Sequence, residues 1–180
     1  MEVFTQTLNL FAAIGTLTIG AIAIVALGAH TFNRKIPHAT LDSVSAWLIW
    51  IGFGIAFAGV VVSLLYSNYI GYPPCYLCWW HRITIYPQLL LYGVALVTRD
   101  RNVFRYTLAL SLVGLVVAGY HNYIDWGGTE FINCDAAVSC TQRFVSEFGF
   151  VTIPLMSLLG LLGLTATAWI GLERTTEISK

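Results

Sequence analysis

The chain has 180 residues, 57% hydrophobic and only 10% charged, with a formal net charge of zero at pH 7 and a mean hydropathy of +0.74. Soluble domains carry about 25% charged residues, so the composition excludes an ordinary soluble domain and indicates an integral membrane protein surrounded by lipid. With no basic tract, nothing points to a nucleic-acid partner.

Met1 to Gln6 carries one acid and no base, unlike the basic start of a secretory signal peptide. The run Leu8 to Ala29 is apolar and long enough to span a bilayer, and is read as a retained first helix. A polar connection, His30 to Ser43, holds Arg34, Lys35, Pro37 and Asp42. Val44 to Leu65 is the second spanning run, and its glycines Gly52, Gly54 and Gly59 fit close helix packing. Ser67 to Pro74 is an uncharged connection. The third run, Cys75 to Val97, contains His81, Arg82 and Gln88, with Pro87 expected to kink it. A basic connection follows, with Arg99, Arg101 and Arg105. The fourth run, Tyr106 to Tyr123, ends in Tyr120-His121-Asn122-Tyr123. Asp125 to Glu147 is the longest polar segment, with Cys134, Cys140, four acids and Arg143. The fifth run, Phe148 to Leu172, carries Pro154 near its start as a second expected kink, and Glu173 to Lys180 is a short polar tail.

The basic residues set an expected orientation. Alternate connections share a side of the membrane. Arg34, Lys35, Arg99, Arg101, Arg105, Arg174 and Lys180 fall on one side, and Arg143 alone on the other. This predicts an all-α integral membrane bundle of five spans, N-terminus out and C-terminus in, in the cell membrane. Both cysteine pairs then face the extracytoplasmic, oxidising side, where disulfides persist.

Pro73-Pro74-Cys75-Tyr76-Leu77-Cys78-Trp79-Trp80-His81-Arg82 is the stretch around which this bundle is organised. Arg82 is the only Lys or Arg between Lys35 and Arg99. A charge within a hydrophobic run is expensive and marks a functional site. On a helix it lies one turn from Cys78, where a guanidinium favours the thiolate that performs redox chemistry. The Cys75/Cys78 spacing suits reversible dithiol chemistry. A purely structural bond closing so small a loop removes little unfolded-state entropy. The pair Cys134/Cys140 fits either a loop staple or a redox role. Asp135 and Glu147 disfavour a thiolate there, and Arg143 favours one. Two pairs on one face allow disulfide exchange between them.

Three rival readings accompany this one. A four-cysteine zinc site fits the first pair's spacing but not the five residues between the second. His81 and His121 lie near one level and could ligate a b-type haem. A non-enzymatic membrane scaffold with two structural disulfides explains the cysteines but not Arg82.

The pattern Pro-Cys-x-x-Cys-x-x-x-Arg at the start of a membrane helix resembles the DsbB family of quinone-dependent disulfide oxidoreductases. PPCYLCWWHRITIYPQ, GYHNY and CTQRFVSEFGFVTIPLMSL are similar to its Gram-positive, BdbC-type branch. The resemblance covers roughly Val44 to Leu172. It implies a four-helix redox domain over 44–172, preceded by an additional helix and connection over 1–43 and followed by a cytoplasmic tail, 173–180. It implies catalytic Cys75, Cys78, Cys134 and Cys140. Cys78 is then nearest the quinone, and Cys134 forms the mixed disulfide with a thioredoxin-like partner of the DsbA or BdbD type. Arg82 matches the family's quinone-site arginine; His81, His121 and Trp79 are the further expected contacts. The implied electron acceptor is menaquinone or ubiquinone, and no metal is expected. The vitamin K epoxide reductase family shares the four-helix core, but its redox pair sits on the last helix, not the third of five.

Overall fold

The computed structural model describes residues 2–32, 41–132, 134 and 138–178. The bases Arg34, Lys35 and Lys180, together with Pro37 and Asp135, lie outside the described residues. Among the described residues there are five α-helices: α1 (Glu2–Phe32), α2 (Leu41–Leu64), α3 (Tyr76–Thr98), α4 (Val103–Asp125) and α5 (Ile153–Ile178). Among the described residues the only β pairing is an isolated bridge between Glu147 and Val151. The chain is a multi-pass, all-helical membrane bundle.

Four helices are long and apolar enough to cross a membrane by length and composition; α3 is the one that falls short. The reason is its polar face. His81, Thr84 and Gln88 stand at successive turns of α3 and all are buried. Gln88 donates from Nε2 to the Thr84 carbonyl at 2.9 Å, and its Oε1 accepts from Ser111 Oγ of α4 at 3.0 Å. Polar groups at membrane depth must find partners within the protein, so α3 turns this stripe towards α4. It packs between α2 and α4.

The core of Ile49, Ala56, Tyr92, Phe104, Ala118 and Leu161 lies among α2 to α5. Helix α1 stands outside it, along α5. Gly52 shows why α2 needs small residues: a Cβ there would land in the ring of buried Tyr92 of α3. Gly54 faces open space, and a Cβ on Gly59 would meet only Ile85, at 3.5 Å.

Several element ends differ from the sequence-based expectation. The second helix does not stop at Leu65. It continues to Ile70 as a wider, π-helical turn and ends at Gly71, whose φ of 88° supplies the left-handed cap. Residues 67–70, expected in a connection, are therefore helical. Residues 148–152, expected in the fifth helix, form a turn with Phe148 and Gly149 at positive φ and the Glu147–Val151 bridge. Pro154 is the second residue of α5, a first-turn position where proline breaks no bond, so the expected kink there has no cause. Pro87 does lie inside α3. At the other end α5 runs on through 173–178, residues expected in a tail.

The alternating helices bring the start of α3, the end of α4 and the described residues of 126–152 to one end of the bundle, where the cysteines lie. Gly52→Ala is expected to cost about 1–3 kcal/mol by overpacking against Tyr92. Thermal unfolding in detergent checks this: the melting temperature falls in Gly52→Ala and holds in Gly54→Ala.

Candidate redox site

Pro73 and Pro74 keep the approach extended, and Cys75 is the N-cap of α3, with φ −72° and ψ 172°. Its Sγ accepts a hydrogen bond from the Cys78 backbone N–H at 3.3 Å. A thiol here takes the place that Ser or Asp usually fills, and the positive end of a helix dipole stabilises negative charge on it. The Cys75 and Cys78 sulfurs lie 2.8 Å apart, and both cysteines are free. Cys75 is buried; Cys78 is partly exposed.

Cys134 and Cys140 are joined in a disulfide. Cys75, Leu77, Ile124 and Cys140 form one buried cluster, with Cys78 and Cys134 packed against it. The two pairs, 56 or more residues apart in sequence, are thus neighbours. The zinc reading required four thiolates, and one pair is bonded. The scaffold reading expected two bonded pairs; Cys134–Cys140 is bonded, and the Cys75 and Cys78 sulfurs lie within 2.8 Å of each other.

His121 of α4 sits between them. Its Nε2 lies 3.1 Å from the Cys140 carbonyl and 4.0 Å from Cys75 Sγ, and its Nδ1 lies 3.1 Å from His81 Nε2. A carbonyl can only accept, so Nε2–H donates to Cys140. In the neutral pair His81 Nε2–H then donates to His121 Nδ1. This leaves His81 Nδ1 as a bare acceptor, and that atom is buried without a partner. The two imidazoles that the haem reading set apart as ligands contact each other directly, with ring centroids 5.4 Å apart.

Arg82 donates from Nε to Ser63 Oγ of α2 at 3.1 Å, and its Nη2 lies 3.4 Å from the Ser63 carbonyl. Tyr86 reaches the same hydroxyl at 3.2 Å. The guanidinium lies over the Trp79 ring, 5.0 Å from its centroid. Its hydrogen bonds go to Ser63 rather than to a sulfur. The expected closeness to Cys78 therefore takes the form of a shared cavity wall.

That cavity, about 360 Å³, is lined by Cys75, Cys78, His81, Arg82, His121 and Tyr66 at its polar end. The rest of its wall is mainly apolar, from α1, α2 and α5. Tyr66 is buried and its hydroxyl, like His81 Nδ1, has no partner. Trp79 does not line the cavity. It is 54% exposed and meets the site only through Arg82.

The loop that carries Cys140 is fastened down beside the cavity. Buried Asp125 accepts from Arg143 Nε at 2.9 Å and from Thr152 Oγ1 at 3.0 Å, and the Arg143 Nη2 reaches the Asp125 carbonyl. Phe144 stacks on Tyr72 with centroids 4.8 Å apart. Ser63, Tyr66 and Tyr86 also belong to the site, beyond the residues that the sequence marks. Ser63 alone had a sequence signal, a hydroxyl within an apolar run.

The family model described as "Disulfide bond formation protein DsbB" matches residues 44–171. The chain belongs to the DsbB family. It is 33% identical over 123 residues to "Probable disulfide formation protein C 2" of Bacillus anthracis, covering 68% of this chain and 88% of that one. It is 38% identical over 117 residues to "Probable disulfide formation protein" of Oceanobacillus iheyensis, covering 61% and 76%. It is 37% identical over 106 residues to "SPbeta prophage-derived disulfide bond formation protein B" of Bacillus subtilis, covering 58% and 72%. No solved structure matches. DsbB membership assigns a thiol–disulfide oxidoreductase role. The family match begins after α1.

Asp125→Ala removes the acceptor that joins Arg143 and Thr152. Arg143 is 44% exposed and can turn to water, so the expected loss is about 1–3 kcal/mol. Limited proteolysis is expected to cut the 126–152 segment faster in this variant, while the helices persist by circular dichroism.

Proposed function

We propose that this DsbB-family protein reoxidises an extracytoplasmic, thioredoxin-like partner of the DsbA or BdbD type and passes the electrons to membrane quinone, menaquinone or ubiquinone. In this reading residues 44–172 form the redox domain, 1–43 an added helix with its cytoplasmic connection, and 173–180 the cytoplasmic tail. The observation that carries it is the packing of both cysteine pairs around His121, at the polar end of one apolar cavity. Arg99, Arg101 and Arg105 stand at the opposite end of α3 and α4 from the cysteines, which supports the extracytoplasmic placement of both pairs.

A partner thiolate attacks the Cys134–Cys140 disulfide at Cys134, the less buried of the two residues. The partner's second thiol resolves the mixed disulfide, leaving the partner oxidised and Cys134 and Cys140 as thiols. That dithiol in turn reduces a Cys75–Cys78 disulfide across the shared cluster, so the free Cys75 and Cys78 are the state after this transfer. The bonded Cys134–Cys140 is the state ready for the next partner. Each exchange moves two electrons and two protons and breaks one S–S bond for each one formed.

The cavity suits a quinone head group by its own chemistry. Arg82 is a fixed cation, and Tyr66 Oη and His81 Nδ1 are buried polar atoms without partners. A bound quinone supplies a two-electron, two-proton acceptor beside Cys78. Ser63 holds the guanidinium in place. His121 holds His81 in the tautomer that leaves Nδ1 bare, so a proton taken up by the pair is held at that atom.

The test is quinone reduction by the purified full-length protein, supplied with a reduced thioredoxin-like dithiol protein and followed by quinone absorbance. Turnover is expected in the parent and is lost in Cys78→Ala and in Cys134→Ala. Arg82→Leu is expected to raise the quinone KM at least tenfold, about 1.4 kcal/mol of binding, while disulfide exchange with the partner persists. Turnover surviving Cys134→Ala removes the loop pair from the path. Failure with both quinones, with the cysteines left unexchanged by reduced partner, returns the scaffold reading.

A further inference from the structure

The chain turns back on itself as it leaves α4. Trp126 caps the helix, its N–H donating to the Asn122 carbonyl at 3.0 Å, and Gly127 follows with a φ of 93°. Gly128 then lies against Tyr123, so closely that a Cβ there would land in the ring. Three residues further on, the Phe131 N–H donates to Tyr120 Oη at 2.8 Å, and the Ile132 N–H donates to the same oxygen at 3.1 Å. Tyr120 and Tyr123 stand one turn apart on one face of α4. The segment therefore runs back along that face on its way to Cys134. The Phe131 side chain is 79% exposed and that of Ile132 43%, so backbone bonds to the phenol, rather than side-chain burial, hold this stretch.

The next residue of α4 holds the other side of the same disulfide, since His121 Nε2 donates to the Cys140 carbonyl. Consecutive residues of a helix point about 100° apart. That divergence lets Tyr120 take the chain just before Cys134 while His121 takes it at Cys140. Tyr120 and Cys134 also pack against the buried cluster that contains Cys140. Besides its own S–S bond, the loop pair is thus fastened twice to one helix, once on either side.

We propose that Tyr120 is a positioning residue for the loop pair: together with His121 it keeps Cys134 beside Cys140 when their bond is open, and so sets how readily that disulfide forms and breaks. The inference rests on the reading above that places this pair in the electron path, and it names a residue that tunes the pair. The balance between disulfide and dithiol reports the effective concentration of one thiol at the other. A segment tied to α4 on both sides keeps the opened thiols close, which favours the bond. Linkage requires the converse. Closing the disulfide strengthens the two hydrogen bonds to Tyr120, and opening it weakens them. Reduction therefore loosens the stretch before Cys134, and reoxidation seats it again.

The test is equilibration of the purified full-length protein with glutathione buffers over a range of ratios. In this exchange the Cys134–Cys140 bond breaks, two glutathione thiols give up two electrons and two protons to the pair, and one glutathione disulfide forms. Thiols are trapped by alkylation, and each cysteine pair is read separately by peptide mass spectrometry. Tyr120→Phe removes only the phenol oxygen. It is expected to raise the equilibrium constant for reducing Cys134–Cys140 at least threefold, with a smaller change at Cys75 and Cys78. Tyr106→Phe, 59% exposed at the other end of α4, is expected to shift neither pair. Hydrogen exchange supplies a reading that needs no variant: the Phe131 and Ile132 amides of the parent are expected to exchange at least threefold faster once the loop pair is reduced. Melting temperatures establish that each variant is folded. An unchanged constant in folded Tyr120→Phe overturns the inference. So does an equal shift at both pairs, which marks general loosening of that end of the bundle, and so do amides whose exchange ignores the redox state. A parent whose loop disulfide stays closed across the whole titration fails the redox reading of that pair, and this inference with it.

Discussion

One hydrogen bond, from His121 Nε2 to the Cys140 carbonyl at 3.1 Å, ties the loop disulfide to the membrane helices. Alone such a bond contributes only about 1 kcal/mol. Its importance is positional. It fixes which His121 nitrogen carries the proton, and that choice fixes His81 in turn. It also sets the backbone of the loop pair against Cys75, at the top of α3. The Asp125–Arg143–Thr152 anchor and the Phe144–Tyr72 stack keep the loop seated, so the imidazole is buried on every side. Without that burial the carbonyl would find water, and the two pairs would lose their common cluster.

Arg82 is the second constraint. A charge at membrane depth needs partners within the protein, and Ser63 and the Trp79 face provide them. Arginine suits this arrangement better than lysine. Its planar group can stack on an indole while its edge donates to a neighbouring helix. Ser63 sits on α2, so the cation on α3 also crosslinks the two helices that border the cavity.

Much of this was legible in the chain. Arg82 in an otherwise uncharged run and the Cys75/Cys78 spacing marked the site. The five apolar runs marked the helices. Family resemblance carried what spacing could not, namely the expectation of a quinone. Helix ends were less legible because backbone geometry decided them. Gly71 let α2 run on to Ile70, and Phe148 with Gly149 delayed α5. Pro154 reads as a kink only until its place in the first turn is known. Tyr66 and Tyr86 were invisible because nothing local distinguishes a residue that faces a cavity from one that faces lipid.

Cys75 is both a redox group and the cap of α3. Its sulfur accepts the Cys78 N–H while the thiols are free. A disulfide between Cys75 and Cys78 would span the same turn by a covalent bond, so the two redox states of such a pair would close the first turn of α3 in two different ways. That turn leads to His81 and Arg82 within one further turn of helix. The residue at which this helix begins is thus one of the two sulfurs of the dithiol, and a substitution at Cys75 removes a helix cap together with a thiol.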